Sequence, residues 1–189
     1  MSNKKEKILI VDDDQVSISV LSEILGEQGY AIRTSADPAT VLQDELSDPP
    51  DLILLDIRMP EMDGITFCQR LKKDARASHV PVIFISTLDE PEDKVTAFEA
   101  GGVDYLTKPL YGPEVLIRVR TQLNLHRLQG WLKQLVEQRT AELETEITER
   151  KMIEATLKKT KARHEEAQRI AHLGHWALDL LNNELSWSD

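Results

Sequence analysis

Leu52-Ile53-Leu54-Leu55-Asp56 is an apolar run that ends on a carboxylate, and the loop Ile57-Arg58-Met59-Pro60-Glu61-Met62-Asp63-Gly64 follows it directly. Four branched apolar residues between turn-forming segments predict a strand that is buried on both faces, as in parallel sheets. An aspartate at the carboxyl end of such a strand lies where open α/β sheets form their ligand crevice. Asp56 is therefore a candidate site residue, with the alternative that it only caps a following helix.

The same kind of apolar run recurs through the first part of the chain, separated by segments with helical spacing. The predicted strands are 7–11, 30–34, 52–56, 81–86 and 104–109. Five strands that alternate with helices favour an α/β fold, a doubly wound five-stranded parallel sheet with helices on both faces.

Polar side chains stand at the carboxyl ends of four predicted strands: Asp12 and Asp13, Asp56, Ser86, and Lys108. Because parallel strands share one carboxyl edge, we expect these groups to converge. Three carboxylates repel one another unless a cation lies among them, and oxygen ligands without His or Cys favour Mg²⁺. Asp56 can then attack phosphorus, while Lys108 and Ser86 contact the phosphoryl oxygens. Each residue alone has an ordinary alternative, such as a helix cap for the aspartates and above all for Asp14.

These motifs resemble the receiver domain of bacterial two-component response regulators over residues 7–122. The residues that carry the resemblance are Val11-Asp12-Asp13, Leu55-Asp56, Met59-Pro60, Met62-Asp63-Gly64, Ile85-Ser86, Tyr105 and Lys108-Pro109. The resemblance implies that Asp56 accepts a phosphoryl group from the phosphohistidine of a sensor histidine kinase or phosphotransfer protein. It also implies that Asp12, Asp13, Asp56 and the backbone carbonyl of Arg58 hold Mg²⁺, and that the peptide bond before Pro109 is cis.

The resemblance further implies a switch made of two residues. The Ser86 hydroxyl would move toward the phosphoryl group, and Tyr105 would turn inward to fill the space it leaves. The alternative for Tyr105 is a half-buried tyrosine of an edge strand with no switching role. In receivers, the positions occupied here by Arg58 and Leu88 influence how long the phosphate persists.

Composition narrows the possible functions. The formal charge of -10 argues against nucleic-acid binding, because nucleic-acid partners need a basic face. The single cysteine, Cys68, excludes an internal disulfide and fits a reducing compartment. No apolar run is long enough to span a membrane, and the charged start is unlike a signal peptide, so we expect a cytoplasmic protein.

A long helix is predicted from Gly112-Pro113 to about Gly174, since all eight prolines lie at or before Pro113. Its apolar stripe is Leu128, Leu132, Leu135, Val136, Leu143, Ile147, Ile153 and Leu157, interrupted by Arg139, Glu146 and Arg150. Such a stripe predicts a dimeric coiled coil with a stutter, rather than a single solvated helix. The segment resembles the linker helices of bacterial sensors, which implies a parallel homodimer.

Residues 169–189 turn to a strand pattern, with a hairpin turn expected at Asn182-Asn183. They resemble the opening of a PAS domain that the chain does not complete, so we expect no haem, flavin or small-molecule site. His172 and His175 lack further partners for a metal. The predicted domains are 1–122 (receiver), 123–168 (coiled-coil helix) and 169–189 (incomplete PAS).

The sequence therefore predicts a non-catalytic signalling module, in which phosphorylation of Asp56 controls the long helix. The resemblance implies that the output domain controlled by this helix, which is missing from the sequence, is a cyclic-di-GMP synthase or a histidine kinase. The alternative is a phosphohydrolase with Asp56 as nucleophile. Such enzymes carry a second aspartate two residues later as general acid, where this chain has Arg58.

Overall fold

The computed structural model describes residues 5–44, 48–87, 91–171, 175–179 and 184–188. The chain divides into two compact units, Met1–Trp131 and Leu132–Asp189, and each is described by itself below.

Strands and helices alternate along the first unit, as the sequence predicts. The elements are β1 (Lys7–Val11), α1 (Gln15–Gly26), β2 (Ala31–Ser35), α2 (Pro38–Asp44), β3 (Leu52–Asp56), α3 (Gly64–Lys73), β4 (Val82–Ser86), α4 (Pro91–Glu99), β5 (Asp104–Thr107) and α5 (Gly112–Ala171). The sequence also predicts a second helix that opens at Asp37-Pro38 and runs to about Leu46, and both Leu46 and Leu88 lie outside the described residues.

The five strands form one parallel sheet in the order β2-β1-β3-β4-β5. The doubly wound five-stranded fold and the long C-terminal helix are thereby confirmed. In the register of β1 and β3, Val11 pairs with Leu55, so Asp12 and Asp56 are next to each other at the carboxyl edge. The strand order therefore brings the predicted site residues to one place.

Alternate residues of the central strands pack against opposite helical layers, which is why these strands are apolar at nearly every position. On one side, strand residues such as Leu9 and Ile53 pack with α3 residues such as Phe67. On the other side, Ile10 and Leu54 pack against residues from α1 and α5. The α5 residues in this second core are Val115, Val119 and Leu123.

Helix α1 begins with a capping aspartate, as expected for Asp14. The Asp14 carboxylate accepts hydrogen bonds from the backbone N–H groups of Val16 and Ser17. These are donors that the first helical turn leaves without a partner. The cap is a structural role, and it separates Asp14 from the neighbouring aspartates that face the crevice.

In the second unit, α5 continues with an exposed apolar stripe that includes Leu132, Leu143 and Ile147. Strands β6 (His175–Asp179) and β7 (Glu184–Ser188) pair antiparallel, with Trp176 opposite Trp187. The expected turn at Asn182-Asn183 and residue His172 lie outside the described residues. Within the described parts of the chain, no helix is both long and apolar enough to cross a membrane.

Candidate functional site

Three aspartates come together at the carboxyl edge of the sheet. Asp12 follows β1, Asp56 ends β3, and Asp13 is the next residue after Asp12. One carboxylate oxygen from each of them lies within 4.8 Å of the other two. Asp12 and Asp56 are buried, while Asp13 is exposed and faces the solvent side of the crevice. The convergence that the sequence predicts is therefore present.

Lys108 reaches the same cluster from the end of β5. Its Nζ lies 2.7 Å from Oδ1 of Asp56 and 3.0 Å from Oδ2 of Asp12. The backbone N–H of Lys108 donates to the Ser86 carbonyl oxygen at 2.8 Å, which fixes the start of the loop against β4. The Lys108–Pro109 peptide bond is cis, as the resemblance implies. One ammonium group thus bridges two buried carboxylates.

Ser86 lies on β4 and Tyr105 lies on β5, the two strands next to β3 on one side of the sheet. Ser86 ends β4 and is 2% exposed, and its backbone pairs with Thr107 of β5. Tyr105 is 6% exposed, which is deeper than the half-buried position considered from the sequence. The Nζ of Lys94 on α4 lies 5.6 Å from the centre of the Tyr105 ring. The aromatic ring therefore already occupies an inward position that contacts α4.

The loop after β3 closes over Asp56. The backbone N–H of Arg58 donates to Oδ2 of Asp56 at 2.7 Å, and the Arg58 side chain is exposed. The N–H of Gly64 donates to the Ile57 carbonyl at 2.8 Å. A Cβ on Gly64 would lie 2.2 Å from the Asp56 carbonyl oxygen, so only glycine allows this approach.

Gly64 belongs to the motif Met62-Asp63-Gly64, but the sequence alone gives this glycine no role. The signal for one is its position at the start of α3, directly after the capping residue Asp63, whose carboxylate accepts the Thr66 N–H at 2.6 Å. A backbone carbonyl at 2.2 Å becomes visible only once the loop is folded onto β3.

Burial raises the pKa of the Asp56 carboxyl above its ordinary value, and the charge of Asp12 adds to this, although the hydrogen bond from Lys108 opposes it. For Lys108, burial acts to lower the pKa, but its contacts with Asp56 and Asp12 outweigh burial and raise it. The site therefore holds a firmly protonated lysine beside a carboxylate that is costly to ionise.

The donor set fits a hard divalent cation. Three ionised carboxylates and one ammonium leave a formal charge of -2 in a small volume, and a divalent cation would cancel it. Among the described residues, these three aspartates form the cluster of potential metal-binding side chains, and all of its ligand atoms are carboxylate oxygens. Oxygen-only ligation is what Mg²⁺ takes in proteins.

Comparisons with known proteins point to one family. The sequence model of the response regulator receiver domain matches residues 8–120. Response regulator PleD of Caulobacter vibrioides is 40% identical over 115 residues, which cover 61% of this chain and 25% of that protein. The chain thus spans about a quarter of the length of that curated relative.

Solved structures agree with the family match. A response regulator from Chloroflexus aurantiacus superposes with a TM-score of 0.62 at 32% identity, covering 64% of this chain and 99% of that one. The receiver domain of sensor histidine kinase PA1611 from Pseudomonas aeruginosa, described with a magnesium ion coordinated in its active-site cleft, has a TM-score of 0.59 at 26% identity. It covers 64% of this chain and 98% of that one.

Proposed function

Because the chain belongs to the response regulator receiver family, we propose that it accepts a phosphoryl group on Asp56 from the phosphohistidine of a sensor histidine kinase or phosphotransfer protein. The observation that carries this proposal is the position of Lys108, whose Nζ is 2.7 Å from Asp56 and 3.0 Å from Asp12. A cation fixed beside the nucleophile is placed to neutralise the charge of an incoming phosphoryl group.

The chemistry follows from the protonation states in the site. An ionised Asp56 oxygen forms the new bond to phosphorus while the bond to the imidazole nitrogen of the donor breaks, and that nitrogen keeps the electron pair. Lys108 donates hydrogen bonds to the phosphoryl oxygens and needs no proton transfer, because its raised pKa keeps it charged. The Arg58 N–H holds the other oxygen of Asp56 in a fixed orientation.

We assign the metal site to Asp12, Asp13, Asp56 and the backbone carbonyl of Arg58. Bound Mg²⁺ would neutralise the carboxylates and bind phosphoryl oxygens. The ligand positions support this assignment, since the three carboxylates lie within 4.8 Å of one another without a His or Cys among them.

The experiment is intact-mass spectrometry after incubation with a small acyl phosphate donor. We expect one phosphoryl group per chain with Mg²⁺ and little or none with a chelator. Asp56→Asn is expected to gain none, while the matched variant Asp14→Asn, which changes the helix cap outside the cluster, is expected to gain one. Phosphorylation of Asp56→Asn to the wild-type level would show that another residue accepts the phosphate.

The same material separates a receiver from a phosphohydrolase. A general acid would have to stand two residues after Asp56, and Arg58 there carries a guanidinium that does not give up its proton near neutral pH. We expect one phosphorylation per chain and no sustained release of product from phosphate esters. Steady turnover that depends on Asp56 would favour the hydrolase.

We further propose that the phosphorylated state is passed to α5, which pairs with a second copy as a parallel coiled coil. The support is the exposed stripe in the second unit, where Leu132 is 55%, Leu143 is 56% and Ile147 is 51% exposed. Apolar side chains at this spacing gain stability when a second helix covers them. The interruptions at Glu146 and Arg150 leave the pairing adjustable.

A cysteine at Leu143 tests the parallel orientation. Residue 143 faces its own copy in a parallel pair, so Leu143→Cys is expected to form a disulfide dimer under mild oxidation. The natural Cys68 does not interfere, because it is buried and burial raises the pKa of its thiol to about 11. A variant with Cys at the adjacent Glu144 is the control, and equal cross-linking at both positions would contradict a defined seam.

The segment after α5 is proposed to lead into a PAS domain that connects to an output module. Its support is the resemblance of residues 169–189 and the antiparallel pairing of β6 with β7.

A further inference from the structure

Two histidines stack at the base of the first unit, at the opposite end of the sheet from Asp56. His79 lies in the loop before β4, and His126 lies on α5. Their ring centres are 5.7 Å apart, with an angle of 18° between the ring planes. His79 is exposed and His126 is half-buried. No role in phosphoryl transfer accounts for this contact.

The stack lies where α5 stops packing on the sheet. Within the first unit, Leu123 is the last buried residue of α5 at 3% exposure, His126 is half-buried, and residues 127–131 are exposed. On the other side of the stack, Lys72 of α3 donates from its Nζ to the carbonyls of Ser78 and Val80, at 3.3 and 2.6 Å. Those bonds hold the backbone on both sides of His79.

The geometry suits neutral imidazoles better than a metal. A metal lies in the plane of each imidazole that binds it, and two nearly parallel rings have no nearby point common to both planes. A stack of neutral rings is favourable, whereas two imidazolium rings at this distance repel. The stacked pair is therefore better placed to gain or lose protons than to share a metal ion.

The charged groups around His126 cancel that repulsion only in part. Asp51 ahead of β3 favours the protonated ring, and Lys72 of α3 opposes protonation less strongly than Asp51 favours it. The recess beside His126 is also lined by Lys5, Glu6 and Arg127, of which Glu6 and Arg127 pair with each other. Burial lowers the pKa of His126, and the neighbouring His79 lowers it further, so the half-buried ring resists protonation.

We propose that His79 and His126 form a proton-sensitive clamp on α5, closed when both imidazoles are neutral and loosened when both are protonated. Loosening would release the part of the helix beyond Leu123 from the base of the sheet. This part joins the receiver to the rest of α5, so the clamp would let acidity change the transmitting helix independently of Asp56.

Hydrogen exchange of the full chain at about pH 5 and about pH 7.5 tests the clamp, since these values bracket histidine titration. After correction for the intrinsic pH dependence, exchange of amides 124–131 is expected to rise about threefold or more at the lower pH, because two unit charges at the observed separation repel by that factor even in water. Amides of β3 and β4 are expected to keep their protection, which separates loosening from acid unfolding.

His79→Gln and His126→Gln are expected to abolish most of that rise, and His164→Gln, which changes an exposed histidine farther along α5, is expected to keep it. A parallel NMR titration should show the pKa of His126 moving up toward its ordinary value when His79 is replaced. The proposal is overturned if the wild-type protein shows no rise, if His79→Gln shows the wild-type rise, or if His126 titrates identically with and without His79.

Discussion

Asp56 is a buried carboxylate whose ionised form is unfavourable in the fold taken alone. Burial and the charge of Asp12 raise its pKa, and Lys108 compensates only in part. An ionised group that costs stability is common at sites built for a reaction rather than for folding. In the proposed function, the same carboxylate acts as the nucleophile once cations neutralise its surroundings.

This cost predicts a pH-dependent gain in stability for Asp56→Asn without Mg²⁺. Below the ordinary carboxyl pKa of 3.8, Asp56 is protonated in both the folded and the unfolded chain, so its ionisation does not alter the free energy of unfolding. Above it, the unfolded chain releases the proton first, so wild-type stability falls relative to the variant until folded Asp56 also ionises. Near neutral pH we expect the variant to be more stable by on the order of 1 kcal/mol.

Urea denaturation of both proteins between about pH 4 and pH 8 measures that difference. Added Mg²⁺ should stabilise the wild type more than the variant, because the variant lacks one proposed ligand. A variant that is less stable than the wild type at neutral pH without Mg²⁺ would contradict the account of Asp56.

Gly64 is expected to tolerate no side chain. The Cβ of Gly64→Ala would lie 2.2 Å from the Asp56 carbonyl oxygen, which is backbone and cannot move aside cheaply. We expect a loss of about 1–3 kcal/mol in the free energy of unfolding and slower phosphorylation, since the loop also holds the Arg58 N–H on Asp56.

The matched control is Gly26→Ala at the end of α1, where a Cβ meets nothing within 4 Å. That change should be neutral or stabilising by less than about 1 kcal/mol. Equal effects of the two substitutions in thermal and urea unfolding would mean that close approach to Asp56 is not what requires glycine.

At the scale of elements, the strands were predictable because burial on both faces demands nearly uninterrupted apolar residues. Leu52–Asp56 matches its predicted range, and the convergence of Asp12, Asp56 and Lys108 follows from one shared carboxyl edge. The depth of Tyr105 and the stacking of His79 on His126 were not predictable. They depend on packing between segments far apart in sequence, which spacing within one element does not encode.

The exposed stripe of α5 predicts that Ile147→Lys weakens self-association. A lysine in the seam loses apolar burial and places like charges opposite each other in a parallel pair. We expect the dissociation constant to rise about tenfold or more, which corresponds to roughly 1.4 kcal/mol. Sedimentation with and without beryllofluoride, a phosphoryl mimic, measures it and also reports whether the site controls pairing.

Thr148→Lys is the control for this prediction, since it adds the same charge at the next exposed position, off the seam. It is expected to change the dissociation constant by less than about threefold. If the wild-type protein is monomeric at tens of micromolar in both states, the proposal of a dimeric transmitter is wrong.

At the scale of the whole molecule, the first unit connects the site with α5 through one of its two cores. Leu106, two residues before Lys108, shares a core with Val115 and Val119 of α5. Tyr105, the neighbouring residue, belongs to the opposite core with Phe84 and Ala97. A structural change at Lys108 can therefore affect the helices on both faces of the sheet. One of these helices is α5, which continues beyond the receiver.

The central claim is that Asp56 itself carries the phosphoryl group, and chemical trapping of the acyl phosphate tests it most directly. Borohydride reduces an aspartyl phosphate to homoserine, which peptide mass spectrometry locates at one residue. After treatment with a phosphodonor and Mg²⁺, we expect homoserine at position 56 alone. Homoserine at Asp12 or Asp13, or at no position in a chain that has gained phosphate, would contradict the account.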